Sequence, residues 1–156
     1  MGTHGGAFQE APRLKLSVVV PAFNEERLLA ATLGSIRSAA LSFDGAWSWE
    51  LIVCDNNSTD RTAEIARAAG ATVVFEPINQ IARARNRGAA AATGDWLIFV
   101  DADSYPTREL LEEVRKAIAK VEYRSSGMSE GLFRIKYKNL INQVQDMLSV
   151  SQAYKK

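Results

Sequence analysis

The segment Trp96-Leu97-Ile98-Phe99-Val100-Asp101-Ala102-Asp103 joins five apolar residues to two carboxylates set one residue apart. A short continuous apolar run suits an interior parallel strand, and open α/β sheets gather ligands at the carboxyl ends of such strands. Two carboxylates at that point suit a hard divalent cation that keeps several waters and shares phosphate oxygens. The same two residues also describe a solvated turn after a strand, so the rest of the chain must decide. Two more polar clusters follow apolar runs: Pro21 to Glu25 after Leu16–Val20, and Asp55 to Asp60 after Glu50–Cys54. Arginines recur in Ala82-Arg83-Ala84-Arg85-Asn86-Arg87-Gly88. A guanidinium keeps its charge and forks onto phosphate or carboxylate oxygens. On a regular helix Arg83 and Arg87 share a face and Arg85 lies on another, so the three cannot serve one site. Arg85 is the favoured ligand of the three, and a solvated arginine face is the alternative for the others.

The elements that must position these residues alternate between apolar and amphipathic segments, the pattern of repeated βα units. Leu16–Val20 is a first strand, stopped by Pro21, and Asn24 is placed to cap a helix whose apolar face is Leu28, Leu29, Leu33 and Ile36. Glu25 and Glu26 suit the positive end of that helix. Glu50–Cys54 is a second strand, and Thr62–Ala69 a helix stopped by Gly70. Thr72–Phe75 is a third strand, followed by a helix over 81–92 and the strand 96–100. Pro106 and Thr107 start a last helix through about Ala119, with Leu110, Leu111, Val114 and Ile118 on one face. Right-handed crossovers put every strand's carboxyl end, and so all three polar clusters, on one rim.

Composition excludes several classes. With 47% hydrophobic and 24% charged residues in 156, the chain suits one domain with a real core and neither a disordered nor a membrane-spanning protein. A formal charge of +1 argues against a broad nucleic-acid surface. Cys54 is the single cysteine and has no partner for an internal disulfide, no stretch approaches the roughly 18 apolar residues of a spanning helix, and a cytoplasmic setting is the expectation. Residues 1–13 lack the apolar core of a signal peptide and read as a disordered leader in which His4 is idle. Cys54 and Trp96 read as core packing.

The four segments Val18 to Glu26, Leu51 to Asp60, Ala82 to Gly88 and Gly94 to Asp103 resemble, in order and spacing, the family 2 nucleotide-sugar glycosyltransferases of the GT-A type. The likeness spans about residues 14–119. It implies an α/β, Rossmann-like nucleotide-binding domain with a mostly parallel sheet. It also implies a nucleotide-facing turn at Pro21, Ala22 and Phe23, with Glu25 approaching base or ribose. Glu25 as a plain first-turn carboxylate and Phe23 as core are the alternatives. By the same likeness Asp55 reads the base edge, and Asn56 departs from the family's usual second Asp. Ser58, Thr59 and Asp60 read as helix caps. Arg83 and Arg85 correspond to residues near the diphosphate, where Asn86 and Gly88 would let backbone come close. Asp101 contacts ribose or metal, and Asp103 coordinates Mn²⁺ or Mg²⁺, which acts as Lewis acid on the departing diphosphate.

The family supplies its general base and acceptor pocket from a second half, and residues 120–156 are too few for one; neither Glu130 nor Asp146 aligns to the base. Leu140, Ile141, Val144 and Leu148 give this basic stretch an amphipathic helix, expected over 132–150 and packed against protein, as in a homodimer. Three functions follow: a transferase moving sugar from a nucleotide diphosphate donor to an unknown acceptor, a truncated donor-binding or interaction domain without turnover, and a haloacid dehalogenase-type phosphatase. The last shares the strand ending Asp-Ala-Asp-Ser, yet needs a further acidic strand end after Asp103 that the sequence does not offer. The glycine-rich signatures of dinucleotide-binding and P-loop proteins are missing.

Overall fold

A computed structural model describes residues 14–43, 45 and 47–125, with side chains through residue 120. The leader and the stretch 132–150 lie outside the described residues. Four parallel strands, β1 (Leu14–Ala22), β2 (Trp47–Asp55), β3 (Thr72–Phe75) and β4 (Trp96–Phe99), alternate with α1 (Leu29–Ala40), α2 (Thr62–Ala68), α3 (Ile81–Ala91) and α4 (Arg108–Ser125). Their order in the sheet is β3-β2-β1-β4. The chain therefore winds outward from β1 to β3, then crosses back to place β4 on the other side of β1. The reversal makes the β1/β4 border the switch point where such sheets bind ligands.

Both faces of the sheet are covered. Leu16, Val18, Val20 and Ala22 of β1 join Leu51 and Val53 in a core with Leu29, Leu33 and Ile36 of α1, Ala66 of α2, and Val114 and Ile118 of α4. The alternate residues Val19, Ile52 and Cys54 are buried on the opposite face, as is Ala84 of α3. A Cβ built on Gly88 would come within 2.3 Å of Val19 Cγ1, so α3 lies against the sheet at a distance only glycine allows. Gly88, expected on the ligand side, has Val19 and Cys54 as its close neighbours instead.

Three local expectations are corrected. First, Pro21 does not stop β1, which runs on through Pro21↔Cys54 and Ala22↔Asp55. The alternation of a parallel pair explains how: Val19 O accepts from Val100 N on the β4 side and Ala22 O accepts from Asn56 N on the β2 side. The Pro21 nitrogen therefore faces the β4 side, where pairing with β4 ends at Val19↔Phe99, and no ladder bond is lost. Second, Asn24 does not cap α1, which begins at Leu29 with no side-chain cap and no acid in its first turn. Asn24 instead takes a left-handed conformation, φ 53°, and Leu28 is exposed rather than part of the buried face. Third, α4 continues past Ala119 to Ser125.

Candidate functional site

The carboxyl ends of β1 and β4 open into a cleft of about 360 Å³ lined by Pro21, Ala22, Phe23, Glu25, Asn56, Ile81, Asp101, Ala102 and Asp103. The sheet positions the acidic pair directly. Asp101 follows β4 on the α3 face, and the buried Ala102 points its carbonyl to α1, where the Thr32 hydroxyl donates to it at 2.6 Å. Ser35 of α1 likewise donates to the Pro106 carbonyl at 2.9 Å, so α1 fixes both ends of the acidic loop. Asp103 is left exposed at the mouth. Glu25 enters from the other side, and its carboxyl is pushed above the ordinary range by burial and by repulsion from Asp103 and Asp60.

Phe23 is half-exposed in this wall rather than part of the core. Its loop is braced from the next one. Asn24 N donates to Ser58 Oγ at 3.0 Å, and Thr59 N returns a bond to Asn24 Oδ1 at 2.8 Å. Glu25 N donates to Thr62 Oγ1, Glu26 N to Asp60 Oδ2 and Arg61 N to Glu26 Oε2, at 2.8, 3.1 and 3.2 Å. Asp60 also accepts from Thr62 N at 2.9 Å. Burial would raise its carboxyl, but the Thr62, Glu26 and Asp60 donors hold it below the ordinary range. Of these residues only Asp60 meets an N–H of α2, that of Thr62. Ser58 and Thr59 are not its caps, since they turn to Asn24 and hold the β1–α1 loop instead, and the N-cap position Arg61 makes no side-chain cap bond.

Asp55 is buried at the end of β2, just behind the cleft wall, and its Oδ1 accepts from Ser58 N at 3.0 Å. Asn56, which sequence reasoning treated as a missing charge, does structural work of its own. Its amide donates to the carbonyls of Glu76 and Ile78 at 3.2 and 2.6 Å, and its Oδ1 accepts from Gln80 N at 3.0 Å. A carboxylate could make only the last of these three bonds. The segment 76–80 is thereby strapped to the rim, immediately before Ile81 of the cleft wall. Asn56 and Ile81 were missed as lining residues; the signal for Asn56 was its own departure from the family pattern.

The three arginines of α3 go to three partners. Arg83 Nε pairs with Oε1 of the buried Glu76 at 3.2 Å, behind the strap rather than in the cleft. The Ile78 backbone N–H lowers the Glu76 carboxyl, burial opposes this, and Arg83 adds to the lowering. Arg87 Nε donates to the Phe75 carbonyl at 3.1 Å. Arg85 alone turns to the acidic pair, with Nη2 3.1 Å from Asp101 Oδ1 and the guanidinium carbon 5.9 Å from the Phe99 ring centre. Cys54 is fully buried, and burial together with the nearby Glu76 and Asp55 charges pushes its thiol up to about 11, which suits packing and not nucleophilic chemistry.

Among the described residues no group of three or more His, Cys, Asp or Glu is gathered to cage an ion. Two carboxylates at an open cleft instead fit a cation that draws its other ligands from water and phosphate, as Mg²⁺ and Mn²⁺ do. The described residues also contain no helix long and apolar enough to cross a membrane.

A family model described as glycosyl transferase family 2 matches residues 17–129. The chain belongs to this family. Curated relatives of this glycosyltransferase-family chain include 4,4'-diaponeurosporenoate glycosyltransferase of Staphylococcus haemolyticus, 35% identical over 131 residues covering 79% of this chain and 33% of that protein. Another is dolichyl-phosphate beta-glucosyltransferase of Drosophila melanogaster, 31% identical over 140 residues covering 80% of this chain and 42% of that protein. The chain thus spans a third to two fifths of these two relatives' lengths. Among solved structures, S. aureus TarS 1-349 superposes with a TM-score of 0.61 at 29% identity, over 70% of this chain and 33% of that one. Glucosyl-3-phosphoglycerate synthase from Mycobacterium tuberculosis, in complex with Mn²⁺, uridine-diphosphate and glucosyl-3-phosphoglycerate, superposes with a TM-score of 0.53 at 35% identity, over 64% and 37%. The fold is the Rossmann-like, GT-A arrangement of these glycosyltransferases, and the family match displaces the phosphatase reading.

Proposed function

We propose that this chain is the donor-binding part of a glycosyltransferase, taking a nucleoside diphosphate sugar and a divalent cation into the cleft at the β1/β4 border for transfer of the sugar to an acceptor. The observation that carries the reading is the convergence of Asp101, Asp103 and Glu25 with Pro21, Ala22 and Phe23 at the end of β1 in one cleft at the switch point of the sheet. Support comes from the family, and from the related synthase, which was solved with Mn²⁺ and uridine-diphosphate.

In this reading Asp101 and Asp103 hold Mn²⁺ or Mg²⁺, which supplies Lewis-acid stabilisation of the departing diphosphate. Pro21, Ala22 and Phe23 at the end of β1 face the nucleoside with Glu25, and Asp55 accepts from a ring N–H of the base. Phe23 and Ile81 offer apolar surface to base or sugar. Arg85 is the phosphate ligand of α3, while Arg83 serves the strap through Glu76. No described residue is assigned as the base that activates the acceptor hydroxyl, and the proposal is confined to donor binding. A cytoplasmic setting and self-association through 132–150 belong to the same proposal.

Calorimetric titration of the full chain with UDP, GDP and their sugars, with Mn²⁺ and with excess chelator, tests it. Binding of at least one nucleotide that vanishes in chelator is expected. Equal binding in chelator, or none at all, overturns it.

A further inference from the structure

Arg85 and Asp101 are linked in a way the proposed donor site does not by itself require. The pair is half-exposed, with side-chain exposures of 35% and 47%, and only Nη2 of the guanidinium reaches the carboxylate. The Arg85 Nε is buried without a hydrogen-bond partner. The flat group lies over Phe99, a contact that tolerates sliding because the ring face offers no directional bond. Asp101 lines the cleft and Arg85 does not. A carboxylate expected to meet a metal is thus already neutralised by a cation that uses few of its own donors.

We infer that Arg85 is a placeholder for the metal: guanidinium and divalent cation compete for Asp101, and arrival of the metal frees Arg85 to fork onto the diphosphate that enters with it. This rests on the donor-binding reading above. A half-exposed ion pair is weak and easily displaced, whereas an anion of two phosphates gives the freed fork a bidentate partner. Metal alone then binds against a competitor, and metal with nucleotide binds without one. Arg85 is in this account a donor-binding residue that couples the two ligands.

The sign of one measurement separates this from simple support of Asp101. Free Mn²⁺ is counted by its paramagnetic resonance signal while the full chain is titrated, first without nucleotide and then with UDP, in wild type, Arg85→Gln and Arg85→Lys. Thermal melts of all three establish folding. Arg85→Gln is expected to bind Mn²⁺ alone up to about fivefold tighter, the most such an ion pair returns. Its UDP affinity with Mn²⁺ present should fall about tenfold, as for a lost charged hydrogen bond. Arg85→Lys keeps the charge without the fork and should shift Mn²⁺ affinity in the same direction by less, so it carries the test if the glutamine variant fails to fold. Weaker or unchanged Mn²⁺ binding without nucleotide in the folded variants overturns the placeholder role while leaving the donor site intact. Absence of metal-dependent UDP binding in the wild type overturns both.

Discussion

The Asn56 side-chain amide donates to the Ile78 carbonyl at 2.6 Å, binding the end of β2 to the strap that leads into α3. With the second donor bond to Glu76 O and the acceptance from Gln80 N, one amide holds a whole connection in place.

Asn56→Asp is therefore expected to be far from conservative. The carboxylate would face two carbonyl oxygens with no hydrogen to offer, close to Asp55 and Glu76. A cost of about 1–3 kcal/mol follows from the buried Glu76 carbonyl losing its donor, with the part-buried Ile78 carbonyl adding less. Urea denaturation reads the cost, and hydrogen exchange should show faster exchange over 76–80 than over the buried strands.

Gly88→Ala tests the packing of α3 on the sheet. A Cβ 2.3 Å from Val19 Cγ1 forces helix or strand to move, and overpacking of this kind costs about 1–3 kcal/mol. Val19→Ala in the same background should recover part of that loss, which a double-mutant cycle in urea would measure.

At the far end of the sheet, Glu50 gives a pH dependence. Burial would raise its carboxyl, but bonds from Ser17, the Thr93 backbone, Lys15 and the Thr93 hydroxyl bring it down to about 2 from an ordinary 4.5. A folded-state value below the unfolded one means stability that is full above about pH 4.5 and lost as pH falls toward 2. The urea midpoint should decline across that window in the wild type and decline less in Glu50→Gln, which starts lower at pH 7.

Asp103→Asn keeps shape and removes a charge at the mouth of the cleft. Metal-dependent nucleotide affinity should drop by at least the roughly 10–100-fold typical of losing a group that merely supports a ligand. The melting temperature should hold, since the side chain is exposed. Unchanged calorimetric affinity would remove Asp103 from the metal site.

The alternation of apolar runs with helical periodicity made the four βα units legible, and β3 falls at Thr72–Phe75 as the residues indicate. The position of the rim clusters followed from handedness alone. Asn24 misled because a polar residue before a helix is a cap only if its backbone stays extended, and here φ is positive and the side chain turns to Thr59. Pro21 misled because its effect depends on which neighbour its nitrogen faces, a property of the sheet and not of the run. Arg83 and Arg85 could be separated by helical phase, but that Arg83 would go to Glu76 depended on a strap with no periodicity. Asn56 was visible only as an exception.

Pro21 has one more consequence. Parallel sheets grow by adding donors and acceptors in step, and β1 extends three residues beyond its last pairing with β4, Val19↔Phe99, presenting a free margin to any passing segment. That margin is where the cleft lies. A residue with an N–H at position 21 would offer that margin one further backbone donor. The ring withholds that donor, so the edge of β1 beside the cleft offers no N–H at this step to a competing strand, whatever side chain binds a ligand there.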